Sequence, residues 1–165
     1  MISLPLKLSL DYHGVISHRP AYFTEFCAEA HRRGHAIYVI TGGPLPQIRQ
    51  YLAEIRLKPD FIFAISDYYQ ALGQAVQVSD GSLSIPPDLW NIAKADFCRR
   101  CGVDFHIDDS IEYQHWFSTP FCLYDVAHQV CRISKTHALD FALNPTELLN
   151  EIEKTVSFLG ARKNA

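Results

Sequence analysis

The chain predicts a doubly wound α/β fold, a mostly parallel sheet with helices on both faces, and three observations carry that expectation. Short continuous apolar runs, AIYVI at 36–40 and FIFAIS at 61–66, suit parallel strands covered on both sides. Stretches with helical periodicity alternate with them, as βαβ units require. Acidic or hydroxyl residues close the runs at Asp11, Thr41 and Asp108, and open α/β sheets bind ligands at the carboxyl ends of their strands.

Taken in order, Leu6 to Asp11 reads as a strand that breaks at Gly14. Ala21 to Arg33 reads as a helix with Phe23, Phe26, Cys27 and Ala30 on one face, stopped by Gly34. After AIYVI and Thr41-Gly42-Gly43, Pro44 or Pro46 opens a helix reaching about Leu57. FIFAIS is then a third buried strand. Residues 75–85 form two short alternating segments meeting at Asp80-Gly81, a two-residue hairpin turn, and read as a small insertion. A helix over about Pro87 to Arg100 leads through Gly102 into VDFHID, the fourth parallel strand, ending in Asp108 and Asp109. A short helical turn, Ile111 to Phe117, precedes the strands FCLYD and VCRIS, and Asn144 with Pro145 opens the last helix.

The 165 residues fit one domain, 1–165, without linker or repeat. Fifteen basic residues against eighteen acidic leave a net charge of −3, with no nucleic-acid signature. No apolar stretch approaches the roughly 20 residues needed to span a bilayer, and nothing in the N-terminus reads as a signal peptide. The five cysteines, an odd set without dense spacing, read as reduced thiols, so a cytoplasmic protein is expected. Cys98 and Cys101 form a lone CxxC inside a helix and read as packing. His18, His106, His115, His128 and His137 show no ligand spacing, and the pairs Tyr68-Tyr69 and Trp116-Phe117 read as packing too.

Asp11, Thr41 and the Asp108/Asp109 pair should meet at one rim of the sheet. Carboxylates brought together repel, and a hard divalent cation with oxygen ligands resolves the conflict, so Mg²⁺ is the expected cofactor. A metal beside Asp11 would let a phosphate approach it, and in-line attack would give an aspartyl-phosphate that water hydrolyses. Thr41 and Gly42 offer a hydroxyl and backbone amides to phosphate oxygens, and Lys94 a positive charge. Each motif alone has an ordinary reading. Asp and Gly punctuate turns, Thr41-Gly42-Gly43 ends a strand, one acid caps a helix, and most lysines are solvated. Only the second acid, Asp109, exceeds what a cap needs.

In this order the motifs resemble those of the haloacid dehalogenase-like superfamily of aspartate-nucleophile phosphatases, over most of the chain from Leu6 to about Tyr124. LSLDYHGVI resembles the first motif, YVITGG the second, Lys94 in NIAKADF the third and FHIDDS the fourth. The resemblance implies Asp11 as nucleophile and metal ligand, Thr41 and Gly42 as phosphate binders, and Lys94 stabilising the phosphoryl group. It also implies that Asp108 and Asp109 hold Mg²⁺. His13 stands where most such phosphatases carry a second aspartate, the acid/base that also binds metal through its main-chain carbonyl. Histidine supplies the same carbonyl and exchanges protons near neutrality. No cap domain fits, so the site should be open to a phosphorylated small molecule or macromolecule. The alternative is a catalytically weak or inactive member of the same fold that binds a phosphorylated ligand or protein partner. A receiver-like signalling domain would require the reverse motif order.

Overall fold

The computed structural model describes residues 5–78 and 80–163, with side chains described through residue 160. Alternating elements follow the expected plan: β1 (Lys7–Asp11), α1 (Pro20–Arg32), β2 (Ala36–Thr41), α2 (Leu45–Glu54), β3 (Phe61–Ala64), α3 (Ile65–Ala71), β4 (Val76–Gln77) and β5 (Leu83–Ser84). They continue with α4 (Pro87–Cys101), β6 (Phe105–Asp108), β7 (Phe121–Asp125), β8 (Val130–Arg132), β9 (Ala138–Asp140) and α5 (Pro145–Lys163).

Seven strands form one sheet in the order β3-β2-β1-β6-β7-β8-β9. The first five run parallel, and β8 and β9 extend the edge antiparallel. From β1 the chain winds outward through β2 to β3, then crosses back to place β6 on the other side of β1. That reversal is a topological switch point, where neighbouring crossovers leave a crevice above the strand ends. Helices α1, α2 and α5 cover one face around Phe23, Phe26, Leu52 and Ile152. Helices α3 and α4 cover the other, where Phe63 stacks on Phe97 with centroids 4.4 Å apart. The predicted face of α1 is the one buried. No helix among the described residues is long and apolar enough to cross a membrane.

The strand period explains which side chains reach the site. Leu8 and Leu10 of β1, with Phe105 and Ile107 of β6, point into the α1/α5 core. The intervening Ser9, Asp11, His106 and Asp108 therefore point toward α4, and all four are buried. A polar strip thus runs beneath α4 between two paired strands.

Three expectations need correction, and one strand was not expected. FIFAIS is strand only to Ala64; Ile65 begins α3, because the Ser66 hydroxyl and amide both turn back to donate to the Gly42 carbonyl. The hairpin reverses more widely than a two-residue turn: Val78 N–H donates to the Ser82 carbonyl at 2.9 Å, and Ser79, part of the expected insertion, lies outside the described residues. Strand β9, too short to read from ALD, pairs with β8. The sulfurs of Cys122 and Cys131 are joined as a disulfide, since antiparallel β7 and β8 bring their Cα atoms to 5.4 Å. Cys27, Cys98 and Cys101 remain thiols.

Candidate active site

Asp11 ends β1 and Asp108 ends β6, so the switch point sets them side by side, with Asp109 one residue on. One carboxylate oxygen from each of the three lies within 4.8 Å of the others. Lys94 reaches down from α4 between two of them, its Nζ 3.0 Å from Asp11 Oδ1 and 2.7 Å from Asp108 Oδ2. It is buried rather than solvated, with the Tyr113 ring centroid 4.7 Å from the ammonium. A separation of fourteen positions between Lys94 and Asp108 suffices because α4 ends at Cys101, and Gly102, with its left-handed φ of 63°, turns the chain into β6.

Asp108 is held from every side. Its Oδ2 accepts from Lys94 and stands 3.2 Å from His106 Nε2, while its Oδ1 accepts the Ser110 amide at 2.9 Å. His106 in turn lies 2.7 Å from the Ser9 hydroxyl through Nδ1 and stacks on Phe117. Burial would raise the Asp108 carboxyl, but His106 and Lys94 outweigh it and hold it down at about 2. Asp11 goes the other way: burial, aided by the charge of Asp108, overcomes Lys94 and pushes it up to about 7. Burial and Asp108 also raise Asp109. Burial opposes the Lys94 charge, yet Asp11 and Asp108 more than compensate and the net direction is up. One ammonium does not neutralise three carboxylates.

A cation suits this donor set. Lys94 occupies Oδ1 of Asp11 and leaves Oδ2, while Asp109 makes no ion pair or hydrogen bond to another side chain among the described residues. Gly14 forms the cradle. With φ at 75°, its backbone approaches so closely that an added Cβ would stand 1.9 Å from Asp109 Oδ2. Gly14→Ala should therefore swing Asp109 out of the cluster and add about 1–2 kcal/mol of left-handed backbone strain. Isothermal titration should show Mg²⁺ affinity falling at least tenfold, and unchanged affinity would mean that Asp109 holds no metal.

The carboxylates open into a cleft of about 710 Å³ lined by Asp11, His13, Gly42, Trp90, Lys94 and Tyr113, among others, with Gly81, Ser82 and Leu83 of the hairpin at its edge. A larger cavity, about 890 Å³ between α2 and the start of β3, contains none of the site carboxylates. His13 is exposed, its ring edge-on to Tyr12 at 4.8 Å. Thr41 is fully buried behind the cleft wall, which Gly42 and Gly43 form instead. Its hydroxyl accepts the Gly43 amide at 3.2 Å and keeps its own proton to donate. Arg19, the other cation near the first motif, bonds the Phe141 carbonyl and stacks on Tyr22.

The structure thus brings together Asp11, Lys94, Asp108 and Asp109, with His13 and Gly42 at the cleft wall. The sequence names His106 only as a histidine without ligand spacing, and Ser9, Trp90 and Tyr113 were not singled out. The i, i+4 spacing of Trp90, Lys94 and Cys98 along α4 was a usable signal, since it puts all three over the strip.

No protein family matches the chain, and no curated protein matches it significantly. Among solved structures, a glycosyltransferase from Rickettsia africae ESF-5 is similar at 14% identity and a TM-score of 0.41, over 73% of this chain and 31% of that one. The chain spans less than a third of that protein, and so remote a likeness carries no argument about function.

Proposed function

We propose that the chain is a Mg²⁺-dependent phosphomonoesterase working through an aspartyl-phosphate on Asp11, as its resemblance to the haloacid dehalogenase-like superfamily implies. The observation that carries this reading is the Lys94 ammonium shared by Asp11 and Asp108 beside Asp109, at the switch point of the sheet. One oxygen of the Asp11 carboxylate attacks phosphorus in line, the ester P–O bond breaks, and the leaving oxygen takes a proton from protonated His13. Water then attacks phosphorus, gives its proton to His13, and phosphate departs with Asp11 restored. The amides around Gly42 donate to phosphate oxygens in place of the buried Thr41 hydroxyl, and Lys94 offsets the charge that builds there. The three aspartates and the His13 main-chain carbonyl would hold Mg²⁺, which would supply the neutralising charge that an anion needs to approach Asp11.

A second reading, a weak or inactive member that binds a phosphorylated ligand, is favoured by one observation. The His13 ring packs on Tyr12, and no hydrogen bond among the described residues orients it as an acid/base.

A screen of phosphomonoesters separates the two. Phosphate release should require Mg²⁺ and stop with EDTA, and His13→Ala should lower turnover about 100-fold while leaving Mg²⁺ affinity unchanged. A wild-type protein inactive on every ester, gaining activity as His13→Asp, would favour the binding reading instead.

A further inference from the structure

Beyond the carboxylates, the cleft wall carries two aromatic rings that the phosphoryl chemistry leaves unused. Trp90 stands one helical turn before Lys94 on the same face of α4. Its ring lies against the phosphate loop, so close that a Cβ on Gly42 would be 3.1 Å from Trp90 Cη2. The indole N–H donates to the Tyr113 hydroxyl at 3.2 Å, which fixes the two side chains relative to each other. Tyr113 itself faces the Lys94 ammonium. Both rings line the cleft, whose volume of about 710 Å³ is that of a small-ligand site.

The charges of the cleft are as informative as its rings. Among its lining residues Lys94 is the only lysine or arginine, and two carboxylates already share it. A second phosphate or carboxylate on the substrate would find no further lysine or arginine to meet it. The wall offers two uncharged rings beside the carboxylates, and rings gain from stacking on rings beyond simple burial.

The geometry points to a specific substrate class: phosphomonoesters whose leaving group carries an uncharged aromatic ring, held against Trp90 and Tyr113. This rests on the reading of the site as one for phosphate esters. The ring is placed by Trp90, and Tyr113 positions Trp90 through its hydroxyl. A bisphosphate of similar size is a poor ligand for the same cleft.

The test compares benzylphosphonate with cyclohexylmethylphosphonate, which share charge and approximate bulk and differ in flatness, by calorimetry on the whole chain with Mg²⁺. Benzylphosphonate should bind about five- to tenfold tighter, as aromatic pairing permits. Trp90→Leu should bring the two affinities within about twofold, and Tyr113→Phe should narrow the gap part of the way. Tyr113→Phe keeps the ring, so it decides the matter if Trp90→Leu fails to fold. Equal affinities in the wild type, or a preference that survives both variants, would overturn the aromatic site, as would absence of binding by either phosphonate. Turnover of the corresponding phosphate esters keeps the two claims apart. Equal kcat/KM for both esters defeats the aromatic site alone, while no release from either, with the binding preference intact, defeats the phosphohydrolase alone.

Discussion

Asp11→Asn should abolish phosphate release, by at least about 1,000-fold, because an amide is no nucleophile toward phosphorus and a poor metal ligand. The same substitution should make the metal-free protein more stable. Burial raises the folded-state value of Asp11 from 3.8 to about 7, so the folded chain holds a proton that the unfolded chain has lost. Stability of the metal-free wild type is therefore lost as pH rises from about 4 to about 7, and the penalty is complete above that window. The depressed Asp108 acts in a separate window: its contribution is present above about 4 and lost as pH falls toward 2. At pH 8 the full Asp11 penalty is on the order of a few kcal/mol, and asparagine removes it. Thermal melts with EDTA at pH 5 and pH 8 should show the wild type losing several degrees between them and Asp11→Asn losing much less. A wild-type melting temperature that does not fall between those values would mean that Asp11 is already ionised without cost. Phosphate release surviving in Asp11→Asn would remove the nucleophile.

Lys94→Met should be the most destabilising change within the site. It leaves Asp11 and Asp108 facing each other, both buried, with nothing between them, and stripping one partner from a buried ion cluster costs about 3–5 kcal/mol. Methionine keeps the stem's volume, so the loss reports charge rather than a cavity. Adding Asp11→Asn should recover most of that stability, which a double-mutant cycle in urea measures directly. Strictly additive effects would show that Lys94 and Asp11 are not coupled. Activity should fall by at least about 100-fold in Lys94→Met even where the protein is folded, as for other preorganised charges at a reacting centre.

Most of the site was readable because its chemistry sits where strand patterns stop. LKLSLD and VDFHID end in acids after apolar alternation, and the parallel order of the strands forces those ends to a common edge. Lys94 was readable only as the third member of an ordered set, since nothing in NIAKADF distinguishes a buried lysine from a solvated one. The residues not singled out for the site share a different cause. His106 and Ser9 are polar positions inside strands, and only pairing β1 with β6 shows that they back Asp108. Trp90, in the first turn of a helix, and Tyr113, in a short turn after β6, look like packing until α4 is seen over the strip. The disulfide was hidden because an antiparallel return of β8 onto β7 follows from no local pattern. The apolar run through Ile65 hid α3, whose start is set by a bond from Ser66 to a loop more than twenty residues earlier.

The placement of the carboxylates on either side of the switch point has a consequence for the order of folding. Ser9 and His106 are 97 residues apart, and β1 meets β6 only after the intervening βα units have been laid down. Loop closure over that distance is entropically slow, so the β1–β6 seam belongs to the late, non-local contacts. A chain that has formed only β1, α1, β2, α2 and β3 has one of the three acids and none of the charge conflict. Any cation bridging Asp11 to Asp108 and Asp109 would thus lock the seam after it forms, prolonging the lifetime of the native state without hastening its arrival.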